Sequence, residues 1–117
     1  EGGKNSIGDL LRHISGAERW WFDAVITGGS FGKDLPRDEA PAADIIVRKL
    51  NESHRLVVQV LKRETIDDWE KKSFKVPIRD EVLTLREITW HVAEHEMRHR
   101  GQIFMMMRLQ GITPPNV

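Results

Sequence analysis

The chain has 117 residues, the size of one domain, and a chain of this length hides roughly two thirds of its unfolded surface. Eighteen Lys and Arg residues balance eighteen Asp and Glu residues, so neither nucleic acid nor an anionic membrane surface is an expected partner. The absence of cysteine excludes disulfides, thiolate nucleophiles and Cys-ligated metal clusters, and no apolar run approaches the roughly twenty residues of a membrane span.

Glu1 to Asn5 read as a loop, and a start on Glu instead of Met leads us to expect upstream sequence. No signal-peptide pattern opens the chain, so a cytoplasmic domain is expected, with its chemistry resting on His, Asp, Glu or hydroxyl groups. From Ser6, an N-cap candidate with Asp9 three residues on, a helical pattern recurs by threes and fours: Ile7, Leu10, Leu11, Ile14, Glu18, Trp21 and Val25. Gly28-Gly29 supplies the stop, and 30–40 reads as a loop. A second helix is expected from near Pro41 to about Arg63, with a stripe of Ala43, Ile46, Val47, Leu50, His54, Val57, Val58 and Leu61. Ile66 to Lys72 suits one turn of helix, and Phe74 to Ile78 a short extended piece broken by Pro77. A third long helix opens at Thr84, with Glu87 completing a capping box, and runs to about Gln110, where Gly111 and then Pro114-Pro115 end it. Long helices with short connections predict an all-α bundle. Three such helices want a fourth to close the core, supplied by an upstream helix or by another chain; a homodimer is the expected oligomer.

The stripe of the last helix is Leu85, Ile88, Val92, Ile103 and Met106, and His95 and His99 stand within it. Two imidazoles four residues apart project side by side, the spacing by which helices hold one metal ion. Buried without partners they would cost about 2 kcal/mol each or more, so an ion or ordinary hydrogen bonds must satisfy them. His91 falls at the rim of the stripe, where a supporting or surface role is expected. A third ligand must come from another helix, and periodicity leaves both His13 and His54 open.

The run His91-Val92-Ala93-Glu94-His95-Glu96-Met97-Arg98-His99-Arg100-Gly101-Gln102 resembles the signature near the end of DinB/YfiT-like proteins, a helical histidine pair ending in His-Arg-Gly-Gln. The segment SIGDLLRHISGAERWWF is similar to that family's second helix, and VPIRDE before the last helix and the Gly then Pro-Pro ending match in order. The resemblance implies a four-helix bundle over residues 1–117, its first helix lying before Glu1. It also implies metal ligands His13, His95 and His99, and gives His54 no place among them. Glu94 and Arg98 depart from the family's pattern, but neither lies on the stripe.

Three neutral imidazoles leave coordination positions open, the arrangement of a catalytic site, and suit Zn, Ni, Fe or Cu. Characterised members of the family that this chain resembles include transferases and isomerases using small thiols such as bacillithiol or mycothiol. The resemblance therefore implies a metal-dependent S-transferase taking a small-molecule thiol and an electrophilic substrate. The alternatives are a noncatalytic metal-binding or helical interaction module, and a metal-dependent hydrolase with His54 or Glu96 as base. Arg100 is expected to pair with a neighbouring helix, with Glu18 as candidate, and Gly101 to permit a close helix approach. Trp20, Trp21 and Phe22 are expected in the core before any pocket, and Met105, Met106 and Met107 in packing or interface surface.

Overall fold

A computed structural model of the chain describes residues 6–28, 43–77 and 79–115. The expected loop at 30–40, the helix start near Pro41 and the chain's first residues lie outside them.

α1 (Ile7–Arg19) begins where the sequence places it. Ser6 Oγ accepts the Asp9 backbone N–H and the Asp9 carboxylate accepts the Ser6 N–H, both at 3.1 Å. The helix runs on to Gly28, in the left-handed region at φ 71°, but Trp20–Thr27 is π-helical, which periodicity did not anticipate. The reason lies in three consecutive aromatics. A wider helix turns less per residue, so neighbours Trp21 and Phe22 stay near one face, and both are buried together with Val25.

α2 (Ala43–Arg63) keeps part of its expected stripe, with Ile46, Leu50, Val57 and Leu61 half-buried, and is rotated from the rest of it. The buried line runs through Ser53 and Val60, whereas Val47, His54 and Val58 are exposed. A hydroxyl causes the rotation: Ser53 Oγ donates to Glu18 Oε1 of α1 at 2.5 Å, shared with the Leu50 carbonyl at 3.0 Å. Hydrophobic periodicity assigns a serine to the solvent side, and here a buried carboxylate draws it inward.

α3 (Ile66–Lys71) is capped reciprocally by Thr65 and Asp68. β1 (Ser73–Lys75) pairs antiparallel with β2 (Val82–Thr84), with Phe74 opposite Leu83. The pairing continues outward, because Leu85 N–H donates to the Lys72 carbonyl and Val76 N–H to that of Glu81. The sequence indicated only the first strand.

α4 (Leu85–Leu109) opens at the expected capping box, with Thr84 Oγ1 3.1 Å from the Glu87 N–H and the Glu87 carboxylate 2.9 Å from that of Thr84. It closes at Gly111, φ 79°, where the N–H groups of Gly111 and Ile112 donate to the carbonyls of Arg108 and Met107. Thr84→Ala should lower unfolding free energy by about 1 kcal/mol, read by denaturant titration. An unchanged midpoint would mean that the hairpin alone fixes the helix start.

The fold is all-α apart from this hairpin. α1 packs between α2 and α4. Its aromatic end meets Val60, Val76, Ile88 and Val92 in the core, so Trp21 and Phe22 are core residues as expected. Among the described residues no helix is long and apolar enough to cross a membrane.

Candidate metal centre

The cap at Ser6 sets the phase of α1 and the cap at Thr84 that of α4, and where the two helices pack His13 meets His95 and His99. His13 Nε2 lies 2.9 Å from His95 Nε2, and His95 Nε2 lies 3.1 Å from His99 Nε2. The ring centroids are 4.4 to 4.9 Å apart and the planes cross at 60° to 84°, so three rings meet edge to edge around one point. Nitrogens bound at about 2.0–2.1 Å to one ion stand roughly 3 Å apart, the separation of the two pairs that share His95, and all three nitrogens lie within 4.8 Å of one another.

Few protons are available to the facing nitrogens. His99 Nδ1 donates to Gln102 Oε1 at 2.6 Å, which leaves His99 Nε2 a bare lone pair pointing inward. If His95 carries its proton on Nδ1, two bare nitrogens face each other at 3.1 Å. If it carries the proton on Nε2, that single hydrogen is divided between two facing nitrogens at 2.9 and 3.1 Å. A divalent cation takes the converging lone pairs at once, so the donor set fits a metal ion, and these three residues form the group among those described that can hold one. Burial, followed by the charges of His99 and His13, lowers the His95 pKa to about 4, which keeps its lone pair available at neutral pH.

Gln102 orients the His99 ring, a role that hydrophobic periodicity does not reveal. Its i+3 spacing from His99 was the available signal. Gln102→Ala should free the His99 ring and weaken metal affinity about 10- to 100-fold, read by competition with a chromogenic chelator. Unchanged affinity would mean that packing alone orients His99.

The other histidines lie apart from this point. His91 is half-buried with its ring 5.1 Å from Trp21. His54 is exposed, Nδ1 3.7 Å from Glu18 Oε2. The Arg100–Glu18 pairing suggested by the sequence is replaced by Ser53 and His54 at Glu18, and Arg100 is exposed. Glu94 and Arg98 pair with each other at 3.4 Å on the surface.

Beside the triad lies a polar network that the sequence did not reveal. Glu18 is buried, and Glu96, next to His95 in the chain, is half-buried and hydrogen-bonded to it. Burial, then that bond and the neighbouring negative charge, raise the Glu96 pKa to about 8, against the pull of Arg100. Glu96 thus keeps its proton at neutral pH. A glutamate standing within an apolar stripe was the visible sign.

Compared with known proteins, the chain matches the model of the DinB family over residues 1–117, its whole length. No curated protein matches it.

Proposed function

We propose that this chain, which belongs to the DinB family, holds one divalent ion on the Nε2 atoms of His13, His95 and His99 and acts as a metal-dependent transferase using a low-molecular-weight thiol. The observation that carries this reading is the convergence of three imidazole nitrogens from two helices, His95 Nε2 lying 2.9 Å from that of His13 and 3.1 Å from that of His99.

Bound there, the ion supplies a Lewis acid that stabilises negative charge on a thiol or water at neutral pH. The protein's own residues do the rest. His13 is exposed while His95 and His99 are half-buried, so the triad is rooted in the bundle on one side and reachable by a small molecule on the other. Gln102 fixes the His99 ring by accepting its Nδ1 proton, and burial keeps His95 unprotonated. The nucleophilic sulfur arrives with the cosubstrate, in keeping with a chain that has no cysteine.

The test couples metal analysis to turnover. Purified protein should carry one ion per chain. Conjugation of a chromogenic electrophile to small thiols, bacillithiol and mycothiol among them, should exceed background, vanish with chelator and return on reloading. Metal without a metal-dependent rate would overturn the transferase and leave a noncatalytic metal-binding module; no metal would overturn both.

A further inference from the structure

One turn before His95 on α4 stands His91, outside the triad and close enough for its charge to act on His95. Its ring meets Trp21 of the π-helical segment edge-on at 5.1 Å. Neither of its ring nitrogens has a hydrogen-bond partner among the described residues, and neither is buried, so both are open to solvent.

Against the same indole lies a cation. Val76, fully buried, roots the end of the hairpin, and the Arg79 N–H closes on the Val76 carbonyl at 3.3 Å. That turn carries the guanidinium over Trp21, 5.7 Å from the ring centroid. Nη1 of Arg79 holds the Glu81 carboxylate at 3.2 Å, with both side chains about half exposed. An open pair of that kind is worth about 1 kcal/mol at most, and Nη2 and Nε keep donors for a second anion.

The steps from His95 to His91, from His91 to Trp21 and from Trp21 to Arg79 are each about 5 to 6 Å, so the guanidinium lies within roughly 17 Å of His95. A molecule three or four extended residues long spans roughly 10 to 14 Å. The structure also shows which anion suits this fork, because it already holds a carboxylate.

We propose that Arg79 and His91 form a carboxylate-binding subsite for the thiol cosubstrate, which is thereby held at two ends, sulfur at the triad and carboxylate at the guanidinium in place of Glu81. The thiol reading of the triad is needed only for where the sulfur goes. Arg79, Trp21 and His91 stand together without it.

Binding is read in protein loaded with Co(II), whose near-ultraviolet absorption reports a bound thiolate. Mercapto acids of increasing chain length are compared with mercapto alcohols of the same length. Beyond a threshold length the acid should bind about tenfold or more tightly than the alcohol, and below it the two should bind equally. Arg79→Gln should abolish that preference, and Arg79→Lys should keep part of it, since an ammonium retains the charge but not the fork. His91→Phe, which keeps a ring against Trp21 and removes the N–H, should reduce it. Glu81→Gln should raise it by removing the competing carboxylate, a gain that an arginine serving only to tie the hairpin would not produce. Equal affinities at every length, a preference already full at the shortest chain, or one unchanged in Arg79→Gln would overturn the proposal. A second arm needs no metal: in chelator-treated protein acetate, against chloride at equal ionic strength, should shift the NMR signals of the Trp21 indole and the Arg79 guanidinium. Failure of Co(II) to bind while acetate shifts those signals would overturn the metal reading and leave the carboxylate subsite standing. Signals unmoved by acetate would overturn the subsite. Circular dichroism checks that each variant keeps its helices.

Discussion

Replacing His95 and His99 together by alanine should take the bound divalent ion from one per chain to none. Each imidazole contributes one of three lone pairs that meet within 4.8 Å, and a lone histidine left on α1 cannot hold an ion against water and buffer. Metal analysis after dialysis is the measurement, and equal metal in wild type and variant would refute the assignment. The double variant should also lose the added thermal stability that wild type gains from metal, because an ion that binds only the folded state stabilises it by mass action. Acid should weaken binding, since protons compete for the ligands. Competition at His95 sets in only near pH 4, where its own lowered pKa lies.

The second large effect is expected in the buried carboxyl pair. Glu18→Ala should destabilise chelator-treated protein by about 2–3 kcal/mol near pH 6, because the Ser53 hydroxyl and the Glu96 carboxyl lose their buried acceptor. Glu96→Gln should behave in the opposite way. In the unfolded chain Glu96 releases its proton near pH 4.5, whereas the folded chain holds it to about 8. The folded state thus binds more protons in that window, and stability from this group is present below it and lost as pH rises through it. Glutamine stays neutral and can still donate to Glu18, so the variant should match wild type near pH 5 and exceed it by about 1 kcal/mol near pH 9, after allowance for solvent screening. His95 acts on the acid side with the reverse sign: its lowered folded pKa costs metal-free protein stability as pH falls from 6.5 to about 4. Parallel stability-pH curves for wild type and Glu96→Gln would refute the raised Glu96 pKa.

Much of this architecture was legible because its signals are local. Ser6 with Asp9, Thr84 with Glu87, and Gly111 each close hydrogen bonds within a few residues, so the sequence carries the ends of α1 and α4 directly. The His95–His99 pair was legible for the same reason, being one helical turn. His13 was not. On its own helix it is an exposed side chain, and only the packing of α1 on α4 gives it neighbours; the family resemblance pointed to it where periodicity left His54 equally open. The rotation of α2 was hidden in Ser53, whose burial depends on a carboxylate 35 residues away. The pairing of β2 with β1 was hidden too, since a three-residue strand has too few side chains to show alternation.

The π-helical stretch between Trp20 and Thr27 has a bearing on how this chain tolerates changes of length. A segment of helix wound with i→i+5 bonds holds more residues per turn than the α-helix before it. Losing one residue there would tighten the winding toward α geometry, and the slack would be taken up between the aromatic run and Gly28. His13 lies upstream on regular α-helix, phased from Ser6, so such a deletion would leave its azimuth untouched. Insertions and deletions arising after Arg19 are thereby uncoupled from the position of the histidine, and the chain beyond Gly28 can be lengthened or re-aimed without displacing His13.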